Sequence, residues 1–144
     1  MLKQHIKMLT EAKKIQKSWK PQNGDRVYFC NSIRIVINIG TCWFLYYADD
    51  SNRYSICAAD ALKNNEHILW LPYQIQFQKM AAKMPTWTDT RPTNVLCRFW
   101  SWWRDSDWEL CSDDTTLEQL WLCFVMKERF NKRWNNEIEK WEEM

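Results

Sequence analysis

The segment from Thr115 to Phe130, TTLEQLWLCFVMKERF, is the sequence feature that most constrains how this chain can fold. Its apolar residues fall at i, i+3, i+4, i+7 and i+8, on one face of an α-helix: Leu117, Leu120, Trp121, Phe124 and Val125. Thr115 and Glu118 have the spacing of a capping box, and Lys127 and Arg129 suit the negative end of the helix dipole. An apolar face that carries Trp and Phe has to be buried, so this segment is predicted to be the central core helix.

The chain of 144 residues has the length and apolar content of one globular domain. Its unusual feature is eleven tryptophans, so some are expected at a binding surface, where Trp is a favoured hot-spot residue. The sequence has no apolar run of the ~20 residues that a membrane span needs and no signal-peptide pattern. We therefore expect a cytoplasmic protein with no membrane partner.

The chemistry-bearing motifs of common enzyme classes are missing from the sequence. There is no G-x-S-x-G, P-loop, dinucleotide fingerprint or H-E-x-x-H, and two glycines leave little for a phosphate cradle. The six cysteines form no C-x-x-C pair, so we expect free, mostly buried thiols rather than zinc or a redox pair. We expect no enzyme, no cofactor and no metal, with a Cys57–His67 pair or paired carboxylates as the remaining catalytic options.

The rest of the chain divides into an N-terminal helix within residues 1–20, a strand region at 26–71 and a helical region at 72–144. The first helix has an apolar stripe of Leu2, Ile6, Leu9, Ala12, Ile15 and Trp19. In the strand region, Ser32–Ile39 alternates isoleucines with Arg34, Val36 and Asn38, the period-two pattern of a half-buried strand. Strands are also expected at 26–30 and 42–47, which form an antiparallel meander with Ser32–Ile39, and up to two more at 54–58 and 67–71.

The helical region is predicted to contain helices after Pro72, from Thr93 onward, and over the central segment. A terminal helix would place Trp134, Ile138 and Trp141 on one face. Strands followed by helices predict an α+β fold, with an antiparallel sheet of three to five strands covered by helices in a single domain.

The net charge of +2 is unevenly distributed, and this yields two candidate binding surfaces. In the helix from Thr93, Trp102 falls off the stripe of Leu96, Phe99, Trp100 and Trp103, which makes it the candidate exposed aromatic. The first surface joins an acidic stretch to tryptophans: Asp105, Asp107, Glu109, Asp113, Asp114, Trp102 and Trp108. The alternative is a basic face for nucleic acid: Lys7, Lys13, Lys14, Lys17, Arg98 and Arg104.

Three groups of residues resemble small phage and prophage proteins of Firmicutes. They are Trp19-Lys20-Pro21 with Gly24-Asp25-Arg26-Val27, Leu69-Trp70-Leu71-Pro72 before the glutamine-rich 74–80, and Leu117–Leu122 followed by Phe124–Glu128. Those proteins tend to carry a glycine after the last helix, where this chain has Phe130-Asn131-Lys132. The resemblance implies a phage origin and a fold, and it transfers no active site.

These observations favour a phage-type binding protein that is not an enzyme and acts on a host or phage protein. A specific version is an anti-defence factor, such as an inhibitor of a CRISPR nuclease, whose acidic stretch imitates nucleic-acid phosphate. The alternative is a small nucleic-acid-binding module that uses the basic face. The expected location is the cytoplasm of an infected or lysogenic bacterium, and the oligomeric state is left open, with a dimer among the options.

Overall fold

The computed structural model describes residues 2–39, 42–48, 54–57, 68–83, 91–105 and 115–144. The helices are α1 (Leu2–Glu11), α2 (Lys13–Ser18), α3 (Gln74–Ala82), α4 (Pro92–Asp105) and α5 (Leu117–Phe130). The strands are β1 (Arg26–Phe29), β2 (Ser32–Ile39), β3 (Cys42–Tyr47), β4 (Tyr54–Cys57), β5 (Leu69–Leu71), β6 (Lys132–Asn135) and β7 (Lys140–Glu143). The α+β class with an antiparallel sheet is therefore confirmed.

The chain groups into two compact units. Unit 1 comprises Met1–Glu11 and Tyr73–Met144, and unit 2 comprises Ala12–Pro72. The single domain expected from chain length stays a prediction. No helix in the described part of the chain is both long enough and apolar enough to cross a bilayer.

Unit 2 is built on a five-stranded antiparallel sheet with the order β4-β3-β2-β1-β5. The predicted meander of β1, β2 and β3 is confirmed. The amide of Gln16 on α2 bonds both backbone groups of Trp70, donating to its oxygen at 3.0 Å and accepting from its nitrogen at 2.9 Å. Trp19 stacks on Trp70 with ring centroids 6.1 Å apart. These contacts attach α2 to the edge strand β5 and occupy hydrogen-bonding groups that an open edge would expose.

The alternation predicted in β2 is present, but its more buried face is not the isoleucine face. Arg34 and Val36 are buried, whereas Ile33, Ile35 and Ile37 are only half-buried and Ile39 is exposed. Arg34 tolerates burial because its guanidinium lies 3.4 Å from the ring centre of Tyr47 and its Nε donates to the Ser32 hydroxyl at 2.8 Å.

The single N-terminal helix predicted over residues 1–19 is wrong, because the structure divides it at Ala12. Ala12 has φ −80° and ψ 52°, outside the helical range, and α2 begins at the next residue. Leu9 on α1 and Ile15 on α2 are both buried, so the apolar positions are used on either side of the break. Periodicity could not reveal the break because the apolar spacing continues through it.

The central helix exists as α5, but its cap and its burial differ from the prediction. The capping residue is Thr116, whose side chain accepts from the Gln119 backbone, while the Gln119 side chain accepts from the Thr116 backbone. Every residue from Gln119 to Met126 is buried, whereas Leu117 is exposed. The helix is thus enclosed on all sides along its middle rather than buried on one face.

Residues 132–143 form a β-hairpin, so the predicted terminal helix is wrong. Asn131 ends α5 in the left-handed conformation (φ 52°, ψ 46°), which Asn adopts more readily than most residues other than glycine. Trp134 and Trp141 are cross-strand partners in T-shaped contact at 5.2 Å, and Ile138 lies in the turn between them. The Trp141 indole donates to the Met8 oxygen at 2.9 Å, which joins the hairpin to α1 within unit 1.

The described cysteines do not fit the expectation of mostly buried thiols. Cys30, Cys42 and Cys97 are exposed, and Cys123 is buried. Cys30 lies at a turn, Cys42 at a strand end and Cys97 in the groove lining on α4, and these positions account for their exposure.

Candidate functional site

An apolar groove of about 530 Å³ opens in unit 1 among α3, α4 and α5. Three large side chains line it while remaining about half exposed: Leu96 at 46%, Trp100 at 57% and Leu117 at 45%. Of the tryptophans in the described ranges, Trp100 alone is exposed. A concave surface with exposed large apolar groups is the usual form of a binding site rather than of an ordinary protein surface.

The base of the groove is a rigid aromatic cluster. Phe99 and Trp121 both line the groove but are buried, and their rings stack at 4.0 Å with an interplanar angle of 9°. Phe124 packs edge-on against both rings, at 5.5 Å and 5.7 Å. Close-packed rings of this kind hold the helix backbones, and therefore the rim residues, at set positions.

The local sequence of α4 explains why the side chains of Leu96 and Trp100 are exposed and do not pack in the core. Val95, Phe99 and Trp102 fall at i, i+4 and i+7 and form the buried side of the helix. Leu96 and Trp100 lie one position further along, about 100° around the helix, and therefore face the groove. The sequence contains two overlapping apolar stripes, and packing selected the one that begins at Val95.

In the part of the chain that the structure describes, the polar groups that line the groove are few and uncharged. They are Gln74 at the start of α3, and Cys97 and Ser101 on α4. An apolar centre with uncharged polar groups resembles the central part of a protein–protein interface, where charged residues are depleted. In the described ranges, no three His, Cys, Asp or Glu side chains are grouped so that they could hold a metal ion.

Arg104 and Asp105 form an ion pair at the end of α4. The Arg104 Nε lies 2.9 Å from the Asp105 carboxylate, and both side chains are about two-thirds exposed. The hydrogen bond from Arg104 lowers the pKa of the Asp105 carboxyl, and the same bond raises the pKa of Arg104. The pair joins one member of the predicted acidic surface to one member of the predicted basic surface.

The structure does not support Trp102 as the exposed aromatic. Its ring is half-buried, 5.8 Å from Phe99 and 5.4 Å from Phe124. The exposed position belongs to Trp100, which was assigned to the buried stripe. Asp107, Trp108, Glu109, Asp113 and Asp114, the remaining members of the acidic surface, lie outside the described residues.

The predicted basic face is distributed over three helices. On α1, the exposed Lys7 forms an ion pair with Glu139 of the hairpin turn. Lys13, Lys14 and Lys17 are exposed on α2 in unit 2, while Arg98 and Arg104 are exposed on α4 in unit 1. The Cys57 side chain and His67, the catalytic pair considered from the sequence, also lie outside the described residues.

The groove residues Leu96, Trp100 and Leu117 were not among the residues singled out for binding. The sequence did contain a signal for them. The segments of α4 and α5 carry more large apolar residues than a single buried stripe on each helix requires. Comparisons of the chain with protein-family models, with curated proteins and with solved structures found no match.

Proposed function

We propose that this chain is a binding protein without catalytic activity, which contacts another protein through the apolar groove of unit 1. The observation that carries the proposal is the exposure of Leu96, Trp100 and Leu117 around one concave apolar surface. Covering the exposed part of Trp100, roughly 100 Å² of apolar area, contributes about 2–3 kcal/mol to binding. A few buried aromatic anchors of this size supply most of the affinity in typical interfaces.

The test is affinity capture from bacterial lysate with the tagged wild type, a Leu96→Ser/Trp100→Ser double variant and an Ile138→Ser control. Ile138 is 52% exposed in the hairpin turn of the same unit and does not line the groove. We expect the wild type and the control to retain the same partner, and the double variant to lose it while it still unfolds cooperatively on heating. Equal retention by all three proteins would contradict the proposal.

The resemblance to phage proteins leads us to propose a host or phage protein as the partner. In a more specific version, the chain inhibits a defence nuclease, and its acidic residues imitate nucleic-acid phosphate. Asp105 is the member of that acidic surface that lies within the described residues. Asp105→Arg should then abolish binding to the nuclease, whereas Ile138→Ser should not. Intact binding by Asp105→Arg would contradict that version while leaving the groove proposal standing.

Nucleic-acid binding is the second candidate, supported by the exposure of Lys13, Lys14 and Lys17 on α2. Its test is the same capture with and without nuclease treatment. Material that disappears after nuclease treatment, and that a Lys13→Glu/Lys17→Glu variant fails to retain, would favour this candidate over the groove.

A further inference from the structure

We propose that the groove takes a short amphipathic α-helix from its partner, with two apolar anchors about one turn apart and a carboxylate about one turn beyond them. This inference rests on the proposed function, because it names the kind of segment that the groove binds. It goes further by specifying the conformation, spacing and charge of that segment.

The spacing comes from α4 itself. Leu96, Trp100 and Arg104 fall at i, i+4 and i+8, so they form one row of about 12 Å along the helix. Leu117, the first residue of α5, also lines the groove beside this row. A partner helix that lies along α4 meets the row with residues of the same spacing, so two apolar side chains face Leu96 and Trp100.

A helix suits this surface better than an extended peptide does. Among the described residues, the lining offers two polar side chains that hydrogen-bond well, Gln74 and Ser101, and includes no strand edge. An extended peptide would bring backbone N–H and C=O groups onto the apolar rings of Phe99 and Trp100 without partners. A helix satisfies those groups internally and presents only side chains to the groove.

Charge complementarity indicates the acidic residue. α4 supplies most of the groove lining, and its charged residues are Arg98 and Arg104 against Asp105, a net charge of +1 (2 − 1). Arg104 lies one turn beyond Trp100 on the same side of α4, and its Nε donates to Asp105. Its terminal NH₂ groups supply further donors, in the geometry that a second carboxylate accepts.

The carboxylate is expected to set the orientation of the bound helix more than its affinity. An ion pair at an exposed arginine changes an affinity by at most about fivefold, whereas removal of a buried aromatic anchor changes it by about tenfold or more. The two contributions can therefore be measured separately.

The experiment selects 16-residue peptides from a displayed library, randomised at eight positions on an alanine-based helical background, against the full chain. We expect enriched peptides to carry apolar residues three or four positions apart, followed by Asp or Glu three or four positions later. The best peptide should bind Leu96→Ser and Trp100→Ser at least about tenfold more weakly than wild type and should bind Ile138→Ser equally well. Arg104→Gln should remove the preference for Glu over Gln in the peptide.

Enriched peptides that bind the groove but are extended, or are indifferent to Arg104, would overturn this inference and leave the proposed function intact. If neither peptides nor cellular proteins depend on Trp100, both fail. Sedimentation of the chain alone tests whether a second copy of the chain occupies the groove. A dimer that dissociates in the Trp100→Ser variant would show that it does, and would also overturn the inference.

Discussion

Phe99 and Trp100 are neighbours in the sequence, yet Phe99 is buried and Trp100 is the most exposed of the large apolar residues that line the groove. At residue scale, this difference in burial arises because adjacent side chains on a helix point about 100° apart around its axis. Phe99 stacks on Trp121 inside the aromatic cluster, while Trp100 touches Trp103 edge-on at 4.9 Å and faces the groove. Two neighbouring aromatic residues therefore have different surroundings: Phe99 packs in the core, and Trp100 is available for the proposed binding.

Substitution of the two tryptophans that line the groove should separate these roles. Trp121→Ala removes a side chain that is 1% exposed and stacked on Phe99, so it should lower the free energy of unfolding by roughly 3–5 kcal/mol. Trp100→Ala should lower it by about 1 kcal/mol or less, because most of that side chain is already in solvent. Urea denaturation measures both values. Equal losses would show that Trp100 is a packing residue.

The Asp105 carboxyl should titrate below its ordinary range because Arg104 donates a hydrogen bond to its charged form. A lowered folded-state pKa means that the pair stabilises the fold above the unfolded-state pKa. That contribution disappears as the pH falls through the folded-state pKa. Carbon-detected NMR of the carboxyl group measures the midpoint, and Arg104→Gln should raise it toward the ordinary value. An unchanged midpoint in the variant would show that another group causes the shift.

At element scale, α5 shows how a helix can be identified correctly while its boundary is misplaced. Thr115 and Thr116 are both followed three residues later by a capping-box partner, Glu118 or Gln119, so sequence spacing does not distinguish them. The structure uses Thr116. The hairpin presents a similar ambiguity, because a separation of seven positions from Trp134 to Trp141 fits two helical turns as well as a cross-strand pair around a four-residue turn.

The cap predicts a measurable effect on stability. Thr116→Ala should cost roughly 0.5–2 kcal/mol, because the backbone N–H of Gln119 loses its acceptor, whereas Thr116→Ser retains the hydroxyl and should cost less. Thermal unfolding of the two variants gives the comparison. A Thr116→Ala variant as stable as wild type would place the functional cap elsewhere.

At the scale of the whole molecule, the net charge of +2 is small, and the described residues that line the groove are uncharged. The two compact units divide the predicted basic face, with Lys7, Arg98 and Arg104 in unit 1 and Lys13, Lys14 and Lys17 in unit 2. The groove lies wholly within unit 1. The dependence of binding on salt is therefore the property that best distinguishes the two proposed functions.

Binding through the groove should weaken little between 50 and 200 mM salt, about threefold or less, since its anchors are uncharged. Neutralisation of three phosphates of duplex nucleic acid by the α2 lysines would instead weaken binding about 40-fold over the same range. Fluorescence anisotropy with the captured partner, at both salt concentrations, provides the measurement. A steep salt dependence that Lys13→Glu reduces would favour the nucleic-acid alternative.

The sequence alone determined the α+β class, the meander and the positions of α3, α4 and α5. Each of these depends on local periodicity, turn residues or caps, which a short segment carries by itself. Only the tertiary structure decided that Arg34 and Val36 rather than the isoleucines are the most buried positions of β2, and that residues 132–143 pair as strands. The tertiary structure also decided that the side chains of Leu96 and Trp100 remain exposed rather than packed in the core. The physical reason is the same in each case: a segment with apolar residues on more than one side offers several stripes of similar value, and the packing partner selects which stripe is buried.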